Sequence, residues 1–285
     1  MSRLLGPGSR SAMREGVAID PMRPSPSGVK SGEPKCVPFP MKIRSKRGVL
    51  VAGASIVVAI AIAASFDPVR GTLEYLWGSM RGGYTVAERL EQFGRGVEER
   101  LKPSFEAAGV RYPPAELAFV AFKDAKVLEL YAKDAEQPWR FIKTYPVLAA
   151  SGKPGPKLME GDRQVPEGIY GVESLNPNSR FHLSVRLNYP NELDRRMASA
   201  EGRTKLGGDI MIHGSAVSVG CLAMGDAAAE DLFVLSGLVD REHIKVIISP
   251  TDFRSGAVTP VGEPRWVQAL YETIREEMRP FQKGS

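Results

Sequence analysis

The chain has 285 residues, enough for one good core with a small appendage, and 43% hydrophobic and 25% charged residues mark an ordinary globular composition. The net charge of +5 is unevenly placed: residues 1–66 hold ten Lys/Arg against three Asp/Glu, leaving 28 basic and 30 acidic residues for the remainder. The body of the chain is therefore slightly acidic, and charge gives no case for a nucleic-acid partner.

Residues 1–40 are rich in Pro and Ser and read as a disordered extension. Met41-Lys42-Ile43-Arg44-Ser45-Lys46-Arg47 then leads into an apolar run from Gly48 to Phe66. Basic residues before an apolar run are the pattern of an export signal, so 41–66 is assigned to a signal peptide or an inner-membrane anchor through 48–66. Because Met41 opens a well-formed signal, it is a candidate for the true start, with 1–40 an over-extended reading frame.

Residues 67–114 are assigned to a helical spacer or prop. Thr85 is placed to cap a helix with Val86, Leu90, Phe93, Val97, Leu101 and Phe105 at helical spacing, and with Arg89 and Arg100 among its outward charges. Pro103 is expected to kink or end it. From Pro113-Pro114 onward the pattern changes to strands. Leu117–Phe122 and Lys126–Tyr131 flank a turn, and the stretch from Trp139 to Val147 alternates. Gly168–Val172, Arg180–Val185, Asp209–His213 and Ile244–Ile248 are further short strands. Asp226 is placed as the cap of a helix reaching Leu238. A C-terminal helix, 266–278, carries Trp266, Ala269, Leu270, Ile274 and Met278 on one face. The fold class expected is mainly β with flanking helices, a β-sandwich at 115–250 followed by a loop and helix over 251–285.

Chemistry concentrates in Gly208 to Asp226. This stretch holds one of three histidines, His213, and one of two cysteines, Cys221, among small residues. Cys36 lies before the apolar run, so Cys221 has no disulfide partner in the body. A lone Cys is commonly a small hydrophobe. A thiol kept in an exported protein, eight positions from a His-Gly pair, is a candidate nucleophile with His213 as its base. The Gly220 and Cys221 amides are candidate oxyanion donors. No His/Cys/Asp cluster has metal-ligand spacing.

Ile212-His213-Gly214 followed by Ser218-Val219-Gly220-Cys221-Leu222-Ala223-Met224 resembles the active-site signature of the YkuD-type L,D-transpeptidases, and is nearest their YafK-like branch. Ser151-Gly152-Lys153, Gly161 to Tyr170, the block Asn176 to Ser184, and Tyr189-Pro190-Asn191 with Asp194 agree with that branch in order. The resemblance implies a β-sandwich catalytic domain that needs no cofactor. Cys221 would be the nucleophile, His213 the base, and Gly214 the residue whose carbonyl orients the imidazole.

Its substrate would be the peptidoglycan stem peptide at meso-diaminopimelate, with a wall-anchored outer-membrane lipoprotein as a further partner if the enzyme is an amidase. Ser218, Met224, Tyr189, Asn191, His182 and Arg180 are the candidate substrate-binding residues; His182 and Arg180 are otherwise read as surface or structural. Val219 and Ala223 stand where the commoner signature has His and Arg. Their presence leaves three readings: transfer, hydrolysis, or a catalytically weak wall-binding module.

Overall fold

The computed structural model describes residues 82–256 and 264–283. The assigned extension, the signal or anchor segment, the proposed start at Met41, and Cys36 all lie outside the described residues. Among the described residues no helix is long and apolar enough to cross a membrane.

The first helix, α1 (Val86–Ala108), begins where the sequence indicates. The Thr85 hydroxyl accepts from the Glu88 amide and the Glu88 carboxylate accepts from the Thr85 amide, a reciprocal capping box. The helix runs through Pro103 and ends at Gly109, which adopts φ 70°, the left-handed conformation glycine tolerates. Burial of Leu101 and Phe105 on either side of the proline offsets its lost hydrogen bond, which on its own costs about 3 kcal/mol. Arg89 does not face outward as expected, whereas Arg100 is exposed at its outer side. Arg89 is buried against the Pro177 carbonyl, and Arg100 pairs with Asp231 and Glu230. The helix is thus a prop packed into the core.

Nine strands follow: β1 (Glu116–Phe122), β2 (Val127–Lys133), β3 (Arg140–Pro146), β4 (Ala149–Ala150), β5 (Gly168–Ser179), β6 (His182–Leu187), β7 (Met211–His213), β8 (Leu222–Ala223) and β9 (Ile244–Ser249). They form one mixed hydrogen-bonded series in the order β3-β2-β1-β9-β5-β6-β7-β8-β4. The sheet-dominated fold expected from the sequence is present. The strands nevertheless make one continuous series, because the long β5 serves two neighbours. Its first residues, Gly168–Gly171, pair with β9, and its later residues pair with β6.

Strand alternation sends β1 side chains to both faces. Leu117, Phe119 and Ala121 enter a core with α1 and with α3 (Asp226–Leu238). Ala118, Val120 and Phe122 enter a second core under α4 (Trp266–Met278). On α4 the buried face includes Val267 and Tyr271, while Ala269 is exposed, a rotation from the expected stripe. Residues 192–200, to which no element was assigned from the sequence, form α2 (Glu192–Ala200).

Candidate active site

The pairing of β7 with β8 builds the site. These strands are parallel, with Ile212 opposite Leu222 and His213 opposite Ala223. Ile212 and Leu222 point into the core. By alternation His213, just after Ile212, and Cys221, just before Leu222, fall together on the other side of the pair. The loop between them is tied back at its exit. The Met224 amide donates to the His213 carbonyl at 2.8 Å and the Gly225 amide to the Ser215 carbonyl at 2.9 Å.

His213 is buried, and its Nδ1 lies 2.6 Å from the Gly214 carbonyl. A carbonyl only accepts, so Nδ1 carries the proton and Nε2 keeps its lone pair. Burial lowers the His213 pKa, and the Gly214 carbonyl partly opposes this. Phe181 stacks on the imidazole, with ring centroids 4.7 Å apart and planes at 28°. Gly214 has no space for a side chain, since a Cβ there would meet an Asp226 carboxylate oxygen at 2.5 Å and the Phe181 carbonyl at 2.7 Å.

The Cys221 thiol is partly buried and donates to the Asp209 carbonyl at 3.4 Å. Burial raises its pKa; the Met211 amide lowers it, the Asp209 carboxylate raises it and Lys157 lowers it. At neutral pH the pair is therefore thiol and neutral imidazole. Both shifts disfavour a thiolate–imidazolium pair, because burial penalises both charged forms.

Both candidate oxyanion amides are engaged by serine hydroxyls. The Gly220 amide donates to Ser151 Oγ at 2.6 Å, and the Cys221 amide donates to Ser218 Oγ at 3.1 Å. Ser218 Oγ in turn donates to the Cys221 carbonyl at 2.6 Å, and Ser151 Oγ donates to the Arg163 carbonyl at 2.7 Å. Ser218 thus shapes the cysteine turn.

Other candidate binding residues sit elsewhere. Met224 is buried in the main core, where its apolar side chain supports β8. Tyr189 is buried, packs edge-on to Tyr170 and donates to the Leu206 carbonyl. Asn191 caps α2: its side chain accepts from the Asp194 amide, and Asp194 reciprocates. His182 takes the structural of its two expected roles, hydrogen-bonded to Glu230 at 3.0 Å and packed edge-on to Phe93. Arg180 is exposed on the β5–β6 turn. Val219 is 75% exposed on the loop before the cysteine, and Ala223 is buried in β8.

Three contributors were missed in the sequence. Phe181 sits beside His182 in the quoted block, but its ring contact depends on a turn conformation. Ser151 is distant in sequence from Gly220. Asp226, read as a helix cap, instead accepts from the Ser215 amide at 2.8 Å, and Gly225 takes the capping position without a side-chain bond.

A family model for the L,D-transpeptidase catalytic domain (YkuD) matches residues 118–248, which spans β1 to β9 and includes both His213 and Cys221. Over residues 118–248 the chain is therefore similar to YkuD-type L,D-transpeptidase catalytic domains. Consistent with this, "Putative L,D-transpeptidase YafK" of Escherichia coli (strain K12) is 34% identical over 164 residues, 56% of this chain and 62% of that protein. The chain thus spans less than two thirds of that relative's length.

Two solved structures are also similar to it. The helical cell shape determining protein Pgp2 from Campylobacter jejuni is 23% identical over 48% of each chain, with a TM-score of 0.39. Bdellovibrio bacteriovorus Bd1075 is 20% identical over 60% of this chain and 57% of that one, with a TM-score of 0.36. Of the helices, α1 lies before and α4 after the matched residues.

Proposed function

We propose that the chain is an exported, cysteine-dependent L,D-transpeptidase that acts on peptidoglycan stem peptides containing meso-diaminopimelate. The observation that carries this reading is the 2.6 Å bond from His213 Nδ1 to the Gly214 carbonyl, which leaves Nε2 as a base on the Cys221 side of the β7–β8 pair. Export to the periplasm follows from the basic-then-apolar pattern of 41–66 together with a wall substrate.

Cys221 Sγ attacks the carbonyl carbon of the scissile amide while His213 Nε2 takes the thiol proton. The new C–S bond pushes the carbonyl electrons onto oxygen. That oxyanion is a stronger acceptor than a serine hydroxyl, so it competes for the Gly220 and Cys221 amides held at rest by Ser151 and Ser218. The imidazolium then protonates the leaving amine, the C–N bond breaks, and a thioester remains on Cys221. An acceptor amine discharges the thioester as a cross-link; water discharges it as a hydrolysis product, the course that would release a wall-anchored lipoprotein.

The test incubates the full chain with disaccharide-tetrapeptide fragments and with wall carrying covalently attached protein. Products are read by mass spectrometry. Cross-linked dimers support the reading. Shortened stems or released protein would make the enzyme a hydrolase of the same chemistry. No product from either would leave a wall-binding module.

A further inference from the structure

We infer that Phe181 is the positioning residue for His213, and that α1, which lies before the matched catalytic domain, holds Phe181 in place. This rests on the catalytic reading of His213.

Phe181 is 41% exposed yet stacks face-on over a buried imidazole. It sits on the β5–β6 turn, between Ser179 and His182, which face each other across the two strands. A ring on a free turn would swing to several positions. This turn is gripped from three directions, each involving α1 or the helix it packs on.

At the helix start, the Tyr84 amide donates to Asn178 Oδ1 at 2.7 Å and Asn178 Nδ2 donates to the Tyr84 carbonyl at 2.8 Å. One turn in, Arg89 Nε donates to the Pro177 carbonyl at 3.1 Å. Farther on, Phe93 packs edge-on against His182, with centroids 5.3 Å apart. His182 also bonds Glu230 of α3, and Glu230 pairs with Arg100 of α1 at 3.1 Å. His182 has φ 71°, a left-handed conformation that a non-glycine residue holds only where its surroundings fix it.

The turn meets the imidazole directly and, beside it, the residue that orients it. Phe181 fixes the ring plane by stacking. The Phe181 carbonyl and His182 Cβ close the space beside Gly214, whose own carbonyl fixes Nδ1. Both restraints on the base therefore pass through residues 177–182. Stacking also keeps water from one face of the ring. The other titratable groups near His213 are Cys221 just before β8, Asp226 beside Gly214, and the His182–Glu230 pair behind the turn.

The test uses the full chain as wild type, F181A, F181Y, and the double variant N178A with E230Q. Nitrogen NMR of the imidazoles reads the His213 tautomer and its titration. Turnover of disaccharide-tetrapeptide reads kcat and KM. In F181A water reaches the ring, so His213 titrates at higher pH and loses its fixed tautomer. There kcat falls about tenfold or more while KM stays within about twofold, as for a base losing its alignment. F181Y restores both, and the double variant shifts both in the same direction.

An unchanged His213 titration in F181A would overturn the inference, as would a rise in KM alone, which would make Phe181 a substrate contact. A double variant identical to wild type would overturn the part assigned to α1. If wild type turns over no stem peptide while F181A still shifts His213, the functional reading fails and the positioning stands.

Discussion

His213 Nδ1–H donates a hydrogen bond to the carbonyl of the next residue, Gly214, at 2.6 Å. A strand-end histidine bonded to its own neighbour cannot rotate to present Nδ1, so one nitrogen is committed to orientation and the other is free for chemistry. The orienter needs no second side chain, and it constrains what can follow the histidine.

The pH dependence follows from burial. His213 titrates below the ordinary histidine value, about 6.5, and Cys221 titrates above its ordinary value, about 8.5. The active form holds a neutral base and a protonated thiol, so kcat/KM rises as pH increases through the lowered His213 value and falls only as the thiol ionises. A plateau from below pH 6.5 to above about 8.5 is expected. Alkylation of Cys221 by iodoacetamide is slow at pH 7 and accelerates above that plateau. Fast alkylation at pH 6 would show a preformed thiolate and contradict the neutral pair.

Gly214→Ala tests the orienting residue. Its Cβ would meet Asp226 at 2.5 Å, the Phe181 carbonyl at 2.7 Å and His182 Cβ at 2.9 Å. Overpacking of this kind costs roughly 1–3 kcal/mol and moves the loop. The variant is expected to melt at lower temperature and to lose about a hundredfold in kcat, measured by calorimetry and turnover.

Ser218 ties both ends of the cysteine peptide, accepting from the Cys221 amide and donating to its carbonyl. Ser218→Ala frees both groups and is expected to cost about 1 kcal/mol of stability and to lower kcat. Ser218→Thr keeps the hydroxyl and is expected to retain most activity. Equal losses in the two variants would point to steric rather than hydrogen-bonding control.

The loop that supplies Ser151 is anchored inside. Lys123 Nζ donates to the Gly155 and Val165 carbonyls at 2.7 and 2.8 Å and pairs with buried Glu167 at 2.9 Å. Glu167 also accepts from the Tyr271 hydroxyl of α4 at 2.8 Å. Lys123→Met leaves a buried carboxylate without its cation and is expected to cost about 3–5 kcal/mol in denaturant unfolding. Adding Glu167→Gln to it should recover part of that loss.

How much of this the sequence carried varies by element. Alternating and apolar runs located β1, β2, β3, β6 and β9, because each strand buries a face whose period is visible locally. The α1 cap was legible since Thr85 and Glu88 are three residues apart. The same reasoning was available at Asn191 and Asp194 and would have shown α2, but the neighbouring Tyr189-Pro190 suggested a loop. Cys221 and His213 stood out by rarity and spacing, and Gly214 through the family resemblance. Ser151, Phe181 and the occupied oxyanion amides were not legible, since each depends on contacts made across strands. Arg89 looked like a solvent charge because its partner, the Pro177 carbonyl, is distant in sequence.

Asp194 gives a stability signature of its own. Burial raises its pKa to about 6, against the Asn191 amide and Tyr170 hydroxyl that favour its charged form. The folded state therefore binds more protons than the unfolded chain between about pH 4 and 6. Stability from this group is full below pH 4 and is lost as pH rises through 6, by roughly 3 kcal/mol. Asp194→Asn should flatten that slope in urea unfolding curves collected from pH 4 to 7.

The most direct measurement of the central claim is the intact mass of the protein after brief incubation with disaccharide-tetrapeptide, quenched in acid, followed by peptide mapping. Wild type is expected to carry one stem-peptide acyl group on Cys221, removed by hydroxylamine as a thioester is. Cys221→Ala should carry none, and His213→Ala should acquire it at least a hundredfold more slowly. An adduct on another residue, or wild type left unmodified under conditions where stem peptide is consumed, would contradict the assignment of Cys221 as nucleophile.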